Sequence, residues 1–484
     1  MKHIYKISIS LLLICIFIIG LYKIYEYKYL RLPEIEFYFD EYIDADINYK
    51  ILVNNEEVFR DKNKLTSLTM NTLYPTTIQI GKQTKNILIP KLKKDSYIPI
   101  IIHNKNQIKK LKLYTLPSDF PKFNLDNKQD IKGYILTSFH GLKLIHPSYA
   151  MIIDTNDNLV WYRGNPIKVL SSFHLQQHNI NHKLRYSMHI QTDRFSDSII
   201  RGKHLLLDEK FSVIDTIEVM KTDKHPSIPA DEHEFVYIDD KHYIVIGYQY
   251  KKKESSNTDK IETYTAAIIQ EQKDGKVVFE WLSDEHPELF SSCIEECKEN
   301  PGYHLDYMHI NSIDIDPKDN NLIISSASGY YIAKINRISG DVMWKLGGIK
   351  DEFNLPDNYK FIRQHDAQVL ENNQIMLFDN GISKLTTEDK LNNNINEHDS
   401  RILKFQIDEK NRKIVDIIEI PIHEKSQYMG SVQELNDNMY FIGCGNAENC
   451  SAKLINSKSD KLLVLKVNKP YFSYRAYFTD KIKE

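Results

Sequence analysis

The chain alternates apolar and polar residues in short runs separated by polar turns, a pattern that predicts β-strands joined by hairpins. Three stretches repeat one version of this pattern: HEFVYIDDKHYIVIGY from His233, HINSIDIDPKDNNLIISS from His309 and HDAQVLENNQIMLFDNG from His365. In each stretch a histidine heads a short alternating strand, and a polar turn and a strongly apolar second strand follow. If these are successive blades of one closed ring, the three imidazoles occupy equivalent positions and converge at its centre.

The three tryptophans of the chain mark the same repeat. They occur in DNLVWYR at Trp161, GKVVFEWLS at Trp281 and GDVMWKLGG at Trp344, each after a polar or glycine turn. This shared context is typical of the outer strand of a repeated four-stranded unit. Six units are counted, beginning near Gly133, Tyr186, His233, His309, His365 and Gly430. The sequence therefore predicts an all-β fold with a six-bladed β-propeller over residues 121–484, in which the first strand of each blade lines the central channel.

The region before the propeller has two further parts. Residues 31–120 alternate in short runs and predict a small β-sandwich domain, and LPSDFPKF with its two prolines reads as a linker. Residues 7–22 carry no charge and follow Lys2 and Lys6, so residues 1–30 are predicted to hold an N-terminal hydrophobic helix that acts as a signal anchor. A cleaved signal peptide is the alternative. We expect export to the periplasm or the extracytoplasmic face of the membrane.

Composition and cysteine spacing narrow the picture further. The chain has 42% apolar residues, as expected of a globular protein with a hydrophobic core. Its net charge of −3 gives no indication of nucleic-acid binding. Apart from Cys15, its cysteines form two close pairs, Cys293 with Cys297 and Cys444 with Cys450. Two local disulfides in an oxidising compartment are the favoured interpretation. Buried thiols remain an alternative, and a zinc site is less favoured than either.

Carboxylates accompany the three histidines: Asp231, Glu234, Asp306 and Asp366. Any of them can accept an imidazole N–H and so fix the tautomer of a histidine. Each histidine by itself is equally well explained as a turn cap or a polar inner residue. Three histidines in one register favour a shared reactive site.

The segments that follow these histidines resemble the bacterial arylsulfate sulfotransferase (arylsulfotransferase) family. The matching segments run from Tyr307 to Ser326, from Gln364 to Gly381, from Ser400 to Asp408 and from Met429 to Asn446. The resemblance implies a propeller that moves a sulfuryl group from a phenolic sulfate to a phenol by a ping-pong mechanism, without a cofactor, nucleotide donor or metal. It also implies phenolic sulfates and phenols as small-molecule partners, with a homodimer as a further possibility.

By motif match, the resemblance makes His365 the nucleophile that becomes a sulfohistidine. His309 and His233 then serve as hydrogen-bond donors or as general acid and base, and Asn311 is a candidate for substrate binding. One departure concerns charge, because Ser325-Ser326-Ala327-Ser328 stands where the family has Ser-Ser-Arg-His. Arg363 or Arg401 is expected to replace that arginine.

Two other functions are compatible with the residues. Three channel histidines can hold zinc or manganese with one position open, as in a metal-dependent hydrolase or lyase. A propeller of this kind can also bind an anionic glycan or a protein without catalysis.

Overall fold

The computed structural model describes residues 35–39, 49–53, 56–61, 67–69, 74–80, 82–89, 97–104, 107–116, 120–141, 148–157, 159–164, 172–194, 199–254, 261–294, 306–385, 390, 395–436 and 438–482. The chain divides into two compact units, Met1–Phe120 with Asp157–Leu159, and Pro121–Asn156 with Val160–Glu484. The predicted anchor at residues 7–22 lies outside the described residues. Among the residues that are described, no helix has the length and apolar character needed to span a bilayer.

The described residues of the first unit form eight strands. They are β1 (Ile35–Phe39), β2 (Tyr49–Val53), β3 (Glu56–Asp61), β4 (Ser67–Thr69), β5 (Tyr74–Ile80), β6 (Gln83–Ile89), β7 (Tyr97–Asn104) and β8 (Gln107–Leu116). They form two four-stranded sheets in the orders β1-β7-β8-β4 and β3-β2-β5-β6. On β5, the alternate apolar residues Ile78 and Ile80 are fully buried. The sheet β3-β2-β5-β6 therefore has one side that faces a core. The packing of the two sheets as a sandwich stays a prediction.

The second unit contains the other strands, together with short 3₁₀ helices at Ser283–Glu285, Pro287–Ser292 and Asp357–Tyr359. Its first strands are β9 (Phe123–Asn127), β10 (Tyr134–Gly141), β11 (Tyr149–Asp154), β12 (Leu159–Gly164), β13 (Ser172–Ile180), β14 (Lys183–Arg194), β15 (Ile200–Leu207), β16 (Val213–Ile217), β17 (Ala230–Asp231), β18 (Phe235–Asp239), β19 (His242–Glu254), β20 (Ile261–Lys273) and β21 (Lys276–Leu282). Its later strands are β22 (Ile310–Ile315), β23 (Leu322–Ser326), β24 (Tyr331–Ile335), β25 (Val342–Gly347), β26 (His365–Val369), β27 (Gln374–Asp379), β28 (Arg401–Asp408), β29 (Lys413–Pro421), β30 (Ser431–Asn436), β31 (Met439–Gly443), β32 (Ala452–Asn456), β33 (Lys461–Val467) and β34 (Tyr471–Thr479).

These strands form six antiparallel sheets, which confirms the predicted six-bladed propeller. From the innermost strand outward, the blades are β34-β10-β11-β12, β13-β14-β15-β16, β18-β19-β20-β21, β22-β23-β24-β25, β26-β27-β28-β29 and β30-β31-β32-β33-β9. We number them blades 1 to 6 in this order. The three tryptophans lie on β12, β21 and β25, the outermost strands of blades 1, 3 and 4, as their context predicts.

The ring is closed by strands from both ends of the unit. The C-terminal β34 pairs with β10 as the innermost strand of blade 1, and β9 pairs with β33 at the outside of blade 6. Blade 1 therefore does not begin near Gly133, because the strand that follows Gly133 is the second of its blade. Blade 2 likewise begins with β13 rather than near Tyr186, which lies on the second strand, β14.

Neighbouring blades are held together by apolar clusters. Between blades 3 and 4 one cluster buries Trp281 with Tyr248 and Tyr331, and between blades 4 and 5 another buries Trp344 with Phe405. Fully burying a side chain of this size stabilises a fold by about 2–3 kcal/mol. Since the apolar faces pack against each other, the polar ends of the innermost strands are left to line the channel.

Candidate active site

The three predicted histidines lie at the start of the innermost strands of blades 3, 4 and 5. His233 precedes β18, His309 precedes β22 and His365 is the first residue of β26. The rings of His233 and His309 meet edge to face with centroids 4.8 Å apart. The charge of a protonated His233 would lower the pKa of His365, so these two imidazoles are also close. The propeller thus brings together three residues that are separated by more than fifty positions in the chain.

A carboxylate orients each of the first two histidines. The Nδ1 atom of His233 donates to Asp231 Oδ1 at 2.7 Å, and Nδ1 of His309 donates to Asp306 Oδ2 at 2.6 Å. These bonds place the proton on Nδ1 and leave Nε2 as the atom that can exchange a proton. Burial would raise the pKa of Asp306, but the charge of His309 and its hydrogen bonds outweigh burial and lower that pKa. Asp306 is therefore an ionised partner for His309.

His365 is oriented by neutral groups instead. Its Nδ1 donates to Asn380 Oδ1 at 2.7 Å and to the Arg363 carbonyl at 2.8 Å. Asn380 is fixed in turn, because its Nδ2 donates to the carbonyls of Ser426 and Met429. The Met429 N–H donates to Nε2 of His365 at 3.2 Å, so Nε2 carries the lone pair.

Burial lowers the pKa of His365 well below its usual value. The hydrogen bond to Asn380 opposes this shift, whereas the charges of Arg475, His233 and Arg363 reinforce it. The side chain is 2% exposed. His365 is thus a neutral imidazole with an unprotonated Nε2 at physiological pH, which is the form a nucleophile requires.

A cation that the sequence analysis missed lies beside these histidines. Arg475, on the closing strand β34, is 1% exposed. Its Nη1 donates to Glu234 Oε2 at 3.0 Å and to Asp366 Oδ1 at 3.2 Å, and its Nη2 donates to the Asn311 carbonyl. Nη1 also lies 3.3 Å from Nε2 of His174 on β13. The guanidinium of blade 1 therefore contacts groups from blades 2, 3, 4 and 5.

Irregular backbone at the start of the innermost strands directs these side chains. The pairing register shifts near the first residues of β13, β22 and β26 and in the middle of β34, where Tyr474 and Arg475 interrupt it. Such bulges re-aim side chains and are frequent beside active sites. His174, His309 and Asp366 also have positive φ, at 55°, 37° and 53°. Left-handed backbone costs a non-glycine residue on the order of 1–2 kcal/mol and clusters at functional sites.

The structure separates the four carboxylates named from the sequence into two roles. Asp231 and Asp306 bind imidazoles, whereas Glu234 and Asp366 bind Arg475. Burial raises the pKa of Glu234 to about 7 and also raises the pKa of Asp366, although Arg475 lowers both.

The other predicted substrate-binding residues lie in different surroundings. Asn311 is fully buried; its Nδ2 donates to the Gln364 carbonyl at 2.6 Å, and Oδ1 meets no hydrogen-bond donor among the described residues. Arg363 is buried, and its charge reaches His365. Arg401 already donates from all three guanidinium nitrogens, to Asp379, to Glu419 and to the carbonyls of Asn358 and Lys360. These contacts commit Arg401 to the interior of blade 5.

Comparison with known families assigns the propeller to one family. A family model described as arylsulfotransferase (ASST) matches residues 123–475, which is most of the chain and nearly all of the propeller. The chain belongs to the arylsulfotransferase family. The matched residues include His233, His309 and His365 and end at Arg475. Membership supports aryl sulfotransfer as the general activity.

Other comparisons are distant. A comparison with curated proteins found no match to this chain. A protein of unknown function from Bacteroides caccae is 9% identical, with 72% of this chain and 100% of that chain covered and a TM-score of 0.39. A quinoprotein alcohol dehydrogenase-like protein from Bacteroides thetaiotaomicron is also 9% identical, with 92% and 97% covered and a TM-score of 0.34.

The described residues of the chain include one group with the composition of a metal site. Ligand atoms of Asp231, Glu232 and His233 all lie within 4.8 Å of one another. However, Nδ1 of His233 and Oδ1 of Asp231 are 2.7 Å apart. Two ligands of one tetrahedral zinc ion are about 3.3 Å apart, given zinc–ligand bonds near 2.0 Å. The pair therefore has the geometry of a hydrogen bond.

The disulfide predictions have separate outcomes. Cys444 and Cys450 form a disulfide with Cα atoms 5.8 Å apart. Cys293 is disulfide-bonded, and Cys297 lies outside the described residues.

Proposed function

We propose that the protein transfers a sulfuryl group from an aryl sulfate to a phenol through a covalent intermediate on His365. The observation that carries this proposal is the state of His365 Nε2, an unprotonated nitrogen in a site that also holds His309, whose Nε2 can exchange a proton. The family assignment supports the general activity. The ping-pong mechanism, the sulfohistidine and the phenolic substrates are what the family resemblance implies, and the hydrogen bonds of His365 are compatible with them.

In the first half-reaction, the lone pair of His365 Nε2 forms a bond to sulfur. The bond between sulfur and the aryl oxygen breaks, and its electron pair leaves with the phenolate. The product carries the sulfuryl group on Nε2 and keeps the proton on Nδ1, so its imidazolium charge offsets one sulfuryl charge. Asn380 and the Arg363 carbonyl accept the Nδ1–H throughout and stabilise that positive charge.

In the second half-reaction, the oxygen of an acceptor phenol attacks sulfur. The N–S bond breaks, its electron pair returns to Nε2, and neutral His365 is restored. The acceptor phenol must lose its proton in this second half-reaction. In the first half-reaction, a phenolate that is a poor leaving group must gain a proton as it departs. We assign both transfers to Nε2 of His309, because the ionised Asp306 stabilises its protonated form.

His233 has a supporting role in this mechanism. Burial lowers the pKa of His233 despite the opposing effect of Asp231, so the ring is neutral near pH 7. Its edge-to-face contact holds the ring of His309 in place.

The Met429 N–H becomes available when Nε2 reacts. In the resting protein it donates to Nε2. Once the Nε2 lone pair is bonded to sulfur, the same N–H is positioned to donate to a sulfuryl oxygen. Met429 has a φ of 67°, so this amide is held in place by unusual backbone. An amide donor that stabilises developing oxygen charge is worth on the order of 10²-fold or more in rate.

Covalent labelling tests the proposal directly. Purified protein is mixed with p-nitrophenyl sulfate, with and without a phenol acceptor, and p-nitrophenolate release and intact mass are followed. Wild type is expected to gain one sulfuryl group that the phenol removes, whereas His365→Asn gains none because it lacks the nucleophile.

The matched control is His242→Asn. His242 lies at the far end of the β18–β19 hairpin and bonds Glu271. This variant should be labelled like wild type. Equal labelling of wild type and His365→Asn, or an inactive wild type, would refute the mechanism.

A further inference from the structure

We propose that Arg475 is the cation that binds the sulfuryl group, and that the C-terminal strand delivers it to the site when the ring closes. This inference rests on the proposed function. Sulfuryl transfer needs positive charge, because three oxygens of the transferred group carry negative charge in the transition state. At Ala327, where the resemblance to the arylsulfotransferase family leads us to expect an arginine, this chain has only a buried methyl group.

The position of Arg475 follows from its partners. Glu234 is the residue after His233, Asp366 is the residue after His365, and both accept from Nη1 of Arg475. The guanidinium therefore lies beside the residues that directly follow two of the three histidines in the chain. It is close enough that its charge lowers the pKa of both His233 and His365.

One donor of Arg475 is unused. Its Nε is buried and meets no acceptor among the described residues. A buried donor without a partner costs about 1–3 kcal/mol, so such groups in native proteins need an explanation. An oxygen of a bound sulfuryl group would supply the acceptor. Arginine suits this task because its guanidinium keeps its charge when buried, and Nε can donate to an oxygen while Nη1 and Nη2 keep their protein partners.

The two acids around Arg475 also bear on anion binding. If Glu234 and Asp366 were both ionised, the three groups together would carry a net negative charge and would repel an aryl sulfate. Burial favours their protonated forms, and the pKa of Glu234 is raised to about 7. When Glu234 is protonated, its carboxyl group can still accept from the guanidinium. The three groups together then carry no net negative charge.

Arg363 is the competing cation. Its charge also reaches His365. However, the carbonyl of Arg363 already accepts from Nδ1 of His365, so this residue orients the ring through its backbone. Arg475 instead bonds residues of three other blades that surround the site, which fixes its guanidinium relative to all three histidines.

The test is the rate at which p-nitrophenyl sulfate labels His365 in a single turnover. Arg475→Gln is expected to slow labelling on the order of 10²-fold or more. Affinity for unsubstituted phenol should stay within about twofold, because this ligand is neutral at pH 7 and lacks the sulfuryl charge. If Arg475 had only a structural role, the substitution would lower the labelling rate, the affinity for the phenol and the melting temperature together. Added ethylguanidinium should partly restore labelling in Arg475→Ala.

Two comparison variants sharpen the result. Arg185→Gln removes a partly buried arginine that pairs with Asp240 away from the channel, and it should label at the wild-type rate. Arg363→Gln should lose much less than Arg475→Gln. If Arg475→Gln fails to fold, Arg475→Lys is used in its place. Lysine keeps the positive charge but lacks the planar set of N–H donors. Slower labelling with unchanged affinity for the phenol is then expected.

If folded Arg475→Gln or Arg475→Lys is labelled at the wild-type rate, the inference is wrong. It is also wrong if Arg363→Gln slows labelling more than Arg475→Gln does. Both results leave the function through His365 intact. Absence of labelling in wild type would instead refute the function itself.

Discussion

At the scale of single residues, chemistry at this site depends on how burial and partners set the state of each imidazole. His309 faces an ionised carboxylate and can gain a proton, whereas His365 faces an amide and a carbonyl and stays neutral. Identical side chains at equivalent strand positions therefore acquire different roles. The difference comes from Asp306, Asn380 and Met429. Asp306, three residues before His309, was recognised in the sequence, but Asn380 and Met429 are distant along the chain and were not.

The lowered pKa of His365 predicts an unusual pH profile for labelling. A histidine with the ordinary pKa of about 6.5 would lose roughly tenfold in rate between pH 7.5 and 5.5, as protonation removes the nucleophile. Because the pKa of His365 lies well below 6.5, its neutral form persists, and we expect a loss of less than about twofold. The check is single-turnover labelling by p-nitrophenyl sulfate, whose phenolate leaves without an acid. An acid limb with its midpoint near pH 6.5 would contradict the neutral state.

At the scale of elements, alternation predicts strands well where one face is apolar and poorly where a strand faces the channel. The hairpins β18–β19, β22–β23 and β26–β27 were visible because each second strand is strongly apolar. The strand β13 was missed. Its sequence SFHLQQHNI is largely polar, since His174 and Gln176 contact Tyr477 on β34, the innermost strand of the neighbouring blade.

The loop between β31 and β32 carries the disulfide and gives a prediction about stability. Cys444 and Cys450 are both buried and close a loop with a sequence separation of six. In the chain-entropy account, a loop of this size stabilises the fold by about 2 kcal/mol. The double variant Cys444→Ala with Cys450→Ala should therefore unfold at lower urea concentration than wild type.

The same urea titration in dithiothreitol provides the control, because reduction should remove most of the difference between the two proteins. The Cys293 disulfide is broken equally in both. Coincident unfolding curves without reductant would argue against a stabilising bridge.

At the scale of the whole molecule, the active site exists only in the closed ring. The side chain of Thr137 on β10 donates to the carbonyl of Arg475 across a sequence separation of 338 residues. Without β34, blade 1 would lack its innermost strand, and β10 would present an open edge.

Deleting residues 471–484 should therefore abolish cooperative folding as well as labelling. We expect an aggregated product, or one with no sharp melting transition by circular dichroism. Deleting only residues 483–484 keeps β34 and the contact between Tyr186 and the Ile482 carbonyl, and it should melt like wild type. Cooperative folding of the longer deletion would show that the ring does not depend on this strand.

The sequence by itself determined what depends on neighbours along the chain: short alternating strands, polar turns, tryptophans on outer strands, and a histidine at the head of three blades. Backbone dihedrals and side-chain alternation are local, so these features can be read from a few residues at a time. Tertiary structure alone decided which strand completes blade 1, which acids bind imidazoles and which bind Arg475. Those outcomes depend on ring closure, which brings together residues hundreds of positions apart. The residues next to Arg475 in the sequence therefore carry no pattern that predicts its contacts near the histidines.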